Sequence, residues 1–123
     1  MSPITLTRTL VLLAITLTTF GAVHAEGTQA DFDAYNTAVD VYNARVARYE
    51  HAAAAFNDER NSYHHAVNYY NSLSEDQRTQ FQYDRLERWY ATLERRLGEL
   101  NAEWDYLQRR GAELDAWYAR LQG

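Results

Sequence analysis

The 123-residue sequence contains no cysteine, one proline and five glycines. All twelve of its basic residues are arginine, so lysine is absent as well. Without cysteine there are no disulfides, no thiolate nucleophile and no cysteine metal site. Without lysine there is no Schiff base and no phosphate-loop lysine. No G-x-S-x-G, H-E-x-x-H or glycine-rich phosphate loop occurs either, which leaves no recognisable catalytic signature. The length allows one small domain. A small exported domain commonly relies on disulfides. This one must hold by helix packing or by assembly.

The first 25 residues have the three-part layout of a secretory signal peptide. Met1 to Arg8 is weakly positive, Leu10 to Phe20 is apolar apart from threonines, and Val23-His24-Ala25 offers a small-residue cleavage site. The apolar stretch is short of the about 20 residues that a transmembrane helix needs. Cleavage after Ala25 is therefore expected, with no stable membrane insertion afterwards and a periplasmic or secreted destination. The remaining chain, Glu26 to Gly123, carries 17 acids and 11 arginines, a formal charge of −6. An acidic product without a basic cluster is a poor ligand for phosphate backbones, so nucleic acid is not an expected partner.

What is abundant is seven-residue periodicity. Phe32, Val39, Val46, Ala53, Arg60 and Val67 form one series, and Tyr35, Tyr42, Tyr49, Phe56, Tyr63 and Tyr70 form a second. Assigned to positions a and d, they make every d residue aromatic over six heptads. Farther on, Leu86, Leu93, Leu100, Leu107, Leu114 and Leu121 occupy d, with Tyr83, Tyr90, Leu97, Trp104, Gly111 and Tyr118 at a. Strands, with a period of two, cannot produce this pattern. An aromatic-asparagine pair recurs at Tyr35-Asn36, Tyr42-Asn43, Phe56-Asn57 and Tyr70-Asn71, which places amides beside the seam where tyrosine hydroxyls need partners.

Between the two runs, Ser74 and Gln77 have the spacing of a helix capping box. The expected fold is all-α: an antiparallel two-helix coiled-coil hairpin following the signal peptide, with helices at about 31–71 and 75–121 and a turn at about 72–74. In such a pair, facing residue numbers add to a constant. A turn near residue 73 favours 146, which sets Tyr42 beside Trp104, Tyr35 over Gly111 and Arg45 beside Glu103. The competing constant, 153, moves Tyr42 onto Gly111 and sets Ala66 against Trp89 and Ala38 against Trp117, but brings Arg45 to Arg110. The short turn and the like charges favour 146. In either register Leu114, Tyr118 and Leu121 keep the heptad phase beyond Gly111, so the second helix should run through it.

Ala38, Ala52 and Ala66 at g, with Trp89 and Trp117 at g on the second helix, widen the apolar face beyond a two-helix seam. A face this wide suits either a four-helix bundle formed by a homodimer or a hairpin over which Trp89 and Trp117 themselves lap. The candidate interface residues are Trp89 and Trp117, the aromatics Tyr69 and Tyr106 at c, and Arg60, a polar residue at a that can set register or partner. His64 and His65 are adjacent and point about 100° apart, and their i±4 neighbours are not zinc ligands. No metal, cofactor or catalytic residue is therefore expected, and an enzyme is not.

Three functions are compatible with this reading. The foremost is an exported structural or protein-interaction module. A second follows from Leu73-Ser74-Glu75-Asp76-Gln77, which resembles the L-T-x-x-Q motif of the small exported helical Spy and CpxP family, with serine in place of threonine and a single copy. That resemblance implies a stress-related, chaperone-like periplasmic role. The third is small-molecule binding within a tyrosine-rich bundle.

Overall fold

The computed structural model describes Pro3–Ile4 and Gln29–Gln122. The expected signal peptide and its cleavage site lie outside the described residues, Pro3 and Ile4 excepted. The fold is an all-α helical hairpin: α1 spans Gln29–Ser72 and α2 spans Gln80–Gln122, with one 3-10 turn at Glu75–Gln77 between them. Among the described residues there is no strand, and no helix is long and apolar enough to cross a membrane.

The heptad assignment accounts for the core. In α1 the d residues Tyr35, Tyr42, Tyr49, Phe56, Tyr63 and Tyr70 are all buried, as are Phe32, Val39, Val46 and Val67 at a. In α2 the d leucines from Leu86 to Leu114 are buried. The bulkier a residues Tyr83, Tyr90, Leu97 and Trp104 are half-buried. A buried valine, leucine or phenylalanine contributes about 1.5–3 kcal/mol, and an apolar stripe on each helix, aromatic and valine on α1 and leucine on α2, is what holds helices with no disulfide. By contact the described residues fall into two compact units. One is Pro3–Ile4 with Ala52–Leu100, which includes the connection; the other comprises residues 29–51 and 101–122. In each, a stretch of α1 packs antiparallel against a stretch of α2.

The connection differs from the expected turn. The helix does not start at residue 75. Ser74 does begin a capped element, with its amide donating to Gln77 Oε1 at 3.0 Å, but the Gln77 and Arg78 amides both return to the Ser74 carbonyl and the turn ends there. A second reciprocal cap starts α2: the Thr79 hydroxyl accepts from the Gln82 amide at 3.1 Å, and the Thr79 amide donates to Gln82 Oε1 at 2.9 Å. At the other side, α1 has no basic residue in its last turn. Arg78 supplies one from the connection, donating at 3.0 Å to the Asn71 carbonyl at the helix end and at 3.3 Å to the Tyr70 carbonyl, which also accepts from the Leu73 amide at 3.2 Å.

The longer connection decides the register. Tyr70 meets Tyr83, Tyr63 meets Tyr90, Tyr42 meets Gly111 and Tyr35 meets Tyr118, and each pair of numbers adds to 153. Half of that constant falls within Glu75–Gln77, the middle of the connection. The favoured constant of 146 is thus corrected by one heptad, because it rested on the first capping box and not on the second. The helix does continue through Gly111, but the ring it accommodates is that of Tyr42, not Tyr35.

Candidate interaction surface

Two aromatic clusters recur with the same composition and geometry. In the unit that contains the connection, the Tyr63 ring meets Trp89 edge-on at 5.5 Å and 79°, and Tyr90 in a tilted contact at 6.1 Å and 43°. In the other unit, the Tyr35 ring meets Trp117 edge-on at 5.6 Å and 82°, and Tyr118 at 6.1 Å and 45°. Every member differs from its counterpart by 28 residues, or four heptads. The sequence carries the signal on both helices, as Tyr-x-x-Ala-Val-x-x-Tyr-Asn at 35–43 and 63–71 and as Trp-Tyr-Ala at 89–91 and 117–119. The aromatic-asparagine repeat touches it, but the longer period goes unread unless both helices are compared.

The clusters place the candidate interface residues. Trp89 and Trp117 are half-buried, each committed edge-on to a tyrosine of its own hairpin, in contacts worth about 0.5–1.5 kcal/mol beyond area burial. The indole N–H groups of Trp89 and Trp104 have no hydrogen-bond partner among the described residues. Arg60 is half-buried and partnered. Tyr69 is 66% exposed, and Tyr106 is partly covered by the Arg45 guanidinium, whose carbon lies 3.8 Å from the ring centre. Exposed Val41, Phe81 and Tyr118 were not among the sequence candidates. Val41 could have been read as the c-position neighbour of Ala38.

The two flanks of the seam differ in chemistry. The e positions carry Asn36, Asn43, Glu50, Asn57 and His64 on α1 and Glu87, Glu94, Asn101, Gln108 and Asp115 on α2. Asn71, also at e, uses its amide to pair with the backbone of Ile4, accepting from its N–H at 2.9 Å and donating to its carbonyl at 2.7 Å. Ile4 is buried there. The g and c positions instead line shallow grooves floored by alanine. One of about 360 Å³ runs over Ala52, Ala55 and Phe56, rimmed by Glu59, Arg96 and Glu99. Another of about 270 Å³ runs over Ala66 and Leu86, rimmed by Tyr69, Arg85 and Trp89. A third, of about 560 Å³, belongs to the other unit and is lined by Ala38, Val41, Tyr42, Arg45, Tyr106 and three residues from Arg109 to Glu113.

Electrostatics at the g positions follow the corrected register. Glu59 and Arg96, which face each other, form an ion pair. The like charges Arg45 and Arg110 turn apart. Arg45 makes a two-pronged contact with Glu103 at 2.5 and 2.8 Å, and Arg110 pairs with Glu113 at 2.9 Å. The Arg45–Glu103 pair expected from the other register thus forms in this one, because two long side chains span the axial offset of about 7.5 Å. Its hydrogen bond from Arg45 holds the Glu103 carboxyl below the usual carboxylate range, with the charges of Arg45 and Arg48 adding to the effect and burial opposing it. Burial raises the Tyr35 and Tyr42 hydroxyls above their ordinary value of 10.0, and the nearby Asp115 carboxylate raises them further. Among the described residues no three histidine, aspartate or glutamate side chains gather where they could hold a metal ion.

No family model matches the chain, and no curated protein or solved structure matches it.

Proposed function

We propose that the protein is an exported, non-enzymatic structural or protein-interaction module that engages a further helical segment through its g and c positions. The observation that carries this reading is the contrast between the flanks: amides and acids along e, alanine-floored grooves with aromatic and charged rims along g and c. Alanines allow a third helix to approach closely, and recognition then rests on anchors at helical spacing. Self-association into a four-helix bundle is the simplest form of such an interaction.

Sedimentation equilibrium over a wide concentration range tests the self-association. The expected result is a concentration-dependent dimer weakened by Ala52→Glu or Ala55→Glu; a monomer at every concentration refutes it. Export is tested by expressing the full chain in a bacterial host and sequencing the N-terminus of the product found outside the cytoplasm. A product beginning at Glu26 is expected, and retention of unprocessed chain in the cytoplasm would refute the address. Removal of residues 1–25 also removes Ile4 from Asn71, so the fold of the exported product must stand without that contact.

A further inference from the structure

The groove of about 560 Å³ carries more arginine than the grooves over Ala52 and Ala66. Its rim carries Arg45, Arg109 and Arg110, with Arg48 close enough to act on Glu103. Of the carboxylates nearby, Glu103 and Glu113 are each already engaged by one arginine, and Asp115 lies near the Tyr42 hydroxyl. Arg109 makes no ion pair among the described residues, even though Asp105 lies one helical turn before it. The lining itself thus holds three arginines against one carboxylate, Glu113, on a chain whose formal net charge is −5. Directly beside it lies apolar surface: Ala38, Val41 at 62% exposure, and the part of the Tyr106 ring that the Arg45 guanidinium leaves open. The groove over Ala52 and Ala55 has the opposite balance, with Glu59 and Glu99 against Arg96.

We propose that the groove between Ala38–Arg45 and Tyr106–Glu113 is the docking site for an acidic amphipathic helix of a partner protein. Small and aromatic side chains on the floor take its apolar stripe, and Arg109 with Arg48 takes carboxylates at its edge. Arginine suits this task because its planar fork binds a carboxylate through two parallel hydrogen bonds. The reversed charge of the groove over Ala52 and Ala55 steers such a helix away from that groove. This inference rests on the interaction-module reading and names the partner chemistry of one of its grooves.

The test uses the purified protein and two synthetic helical peptides of about three heptads that share one leucine-alanine stripe, one flanked by glutamate and the other by lysine. Isothermal titration calorimetry should show binding of the acidic peptide, with affinity falling as salt rises, and binding at least about tenfold weaker for the basic peptide. Arg109→Glu and Val41→Glu should each weaken the acidic peptide by about tenfold or more while leaving the circular dichroism of the protein unchanged, and Ala55→Glu should have no effect. Equal affinity for the two peptides, no binding of either, or indifference to Arg109→Glu overturns the proposal. Loss of self-association when the acidic peptide binds also overturns it, since the groove would then be the contact between copies. Failure of both peptides alongside a concentration-dependent dimer sinks this inference and leaves the interaction-module reading intact.

Discussion

The two aromatic clusters are built from the same residue types at the same angles, yet what lies next to them is different. Beside the Tyr63 cluster, Tyr70 meets Tyr83 ring to ring at 6.4 Å. Four heptads away, the counterpart of Tyr70 is Tyr42 and the counterpart of Tyr83 is Gly111, where an added Cβ would lie 3.0 Å from the Tyr42 hydroxyl oxygen. One site is filled by two rings, the other by one ring set into a gap. The neighbouring grooves differ accordingly, about 270 Å³ beside Ala66 and about 560 Å³ beside Ala38. A repeated packing unit thus holds the helices together in both places, while the contact beside it is ring on ring in one and ring on glycine in the other.

The severest way to break this comparison is to delete the central ring of each cluster. Tyr63 and Tyr35 are both 1% exposed, and replacing either by alanine should cost about 3–5 kcal/mol if the clusters carry equal weight. Because Tyr35 lies six residues from the start of α1, where helix ends fray, Tyr35→Ala is expected at the lower end of that range and Tyr63→Ala at the upper. Urea denaturation of both variants measures the difference. A Tyr35→Ala cost above that of Tyr63→Ala would reverse the ranking.

A gentler probe exploits the two helical glycines. Gly98 has no atom within 4 Å of an added Cβ, so Gly98→Ala should stabilise by about 1 kcal/mol through helix propensity alone. Gly111→Ala gains the same propensity but pushes on the Tyr42 hydroxyl, and the two effects should cancel to within about 0.5 kcal/mol. Equal thermal stabilisation by both substitutions would show that the gap at Gly111 is not shaped to the ring. Near the Tyr63 cluster the caps can be ranked in the same way. Thr79→Ala, which uncaps a 43-residue helix, should cost about 1 kcal/mol, and Ser74→Ala, which opens only a single turn, less than about 0.5 kcal/mol.

A pH-dependent effect concerns the Arg45–Glu103 pair in the unit that holds the Tyr35 cluster. The Glu103 carboxyl is held below its ordinary value of 4.5 in the fold. The stability it contributes is therefore complete above that value and is lost as pH falls through the lower, folded one. Both side chains are about one-third exposed, which limits the contribution to less than about 1 kcal/mol. Glu103→Gln should lower stability at neutral pH by that amount and flatten the acid limb of the stability curve. An unchanged acid limb would show that the pair is decorative.

Much of the fold was legible in the spacing of particular residues. Six d-position aromatics in one run and six leucines in the other leave no option but two long helices, and Leu114 and Leu121 carry the second past Gly111. The register was misread because Ser74-x-x-Gln77 is a genuine cap that starts only one turn, while Thr79-x-x-Gln82, of the same form, starts the helix. The apparent clash of Arg45 with Arg110 also argued for the wrong constant, although both side chains are long enough to find acids elsewhere. Trp89 and Trp117 are placed at g by the heptads, but only the packing shows that their edges lie against Tyr63 and Tyr35.

The sequence by itself determined the helices, their antiparallel return and the residues of the seam, because burial of an apolar stripe with a period near 3.6 is a local, additive property that each heptad repeats. The tertiary structure alone decided which heptad faces which, and with it the positions of the grooves and the partners of the arginines. Sliding one helix by seven residues keeps every a and d residue in the seam, so the pattern is degenerate. That degeneracy is lifted by single events: the length of the connection and the fit of the Tyr42 ring over Gly111.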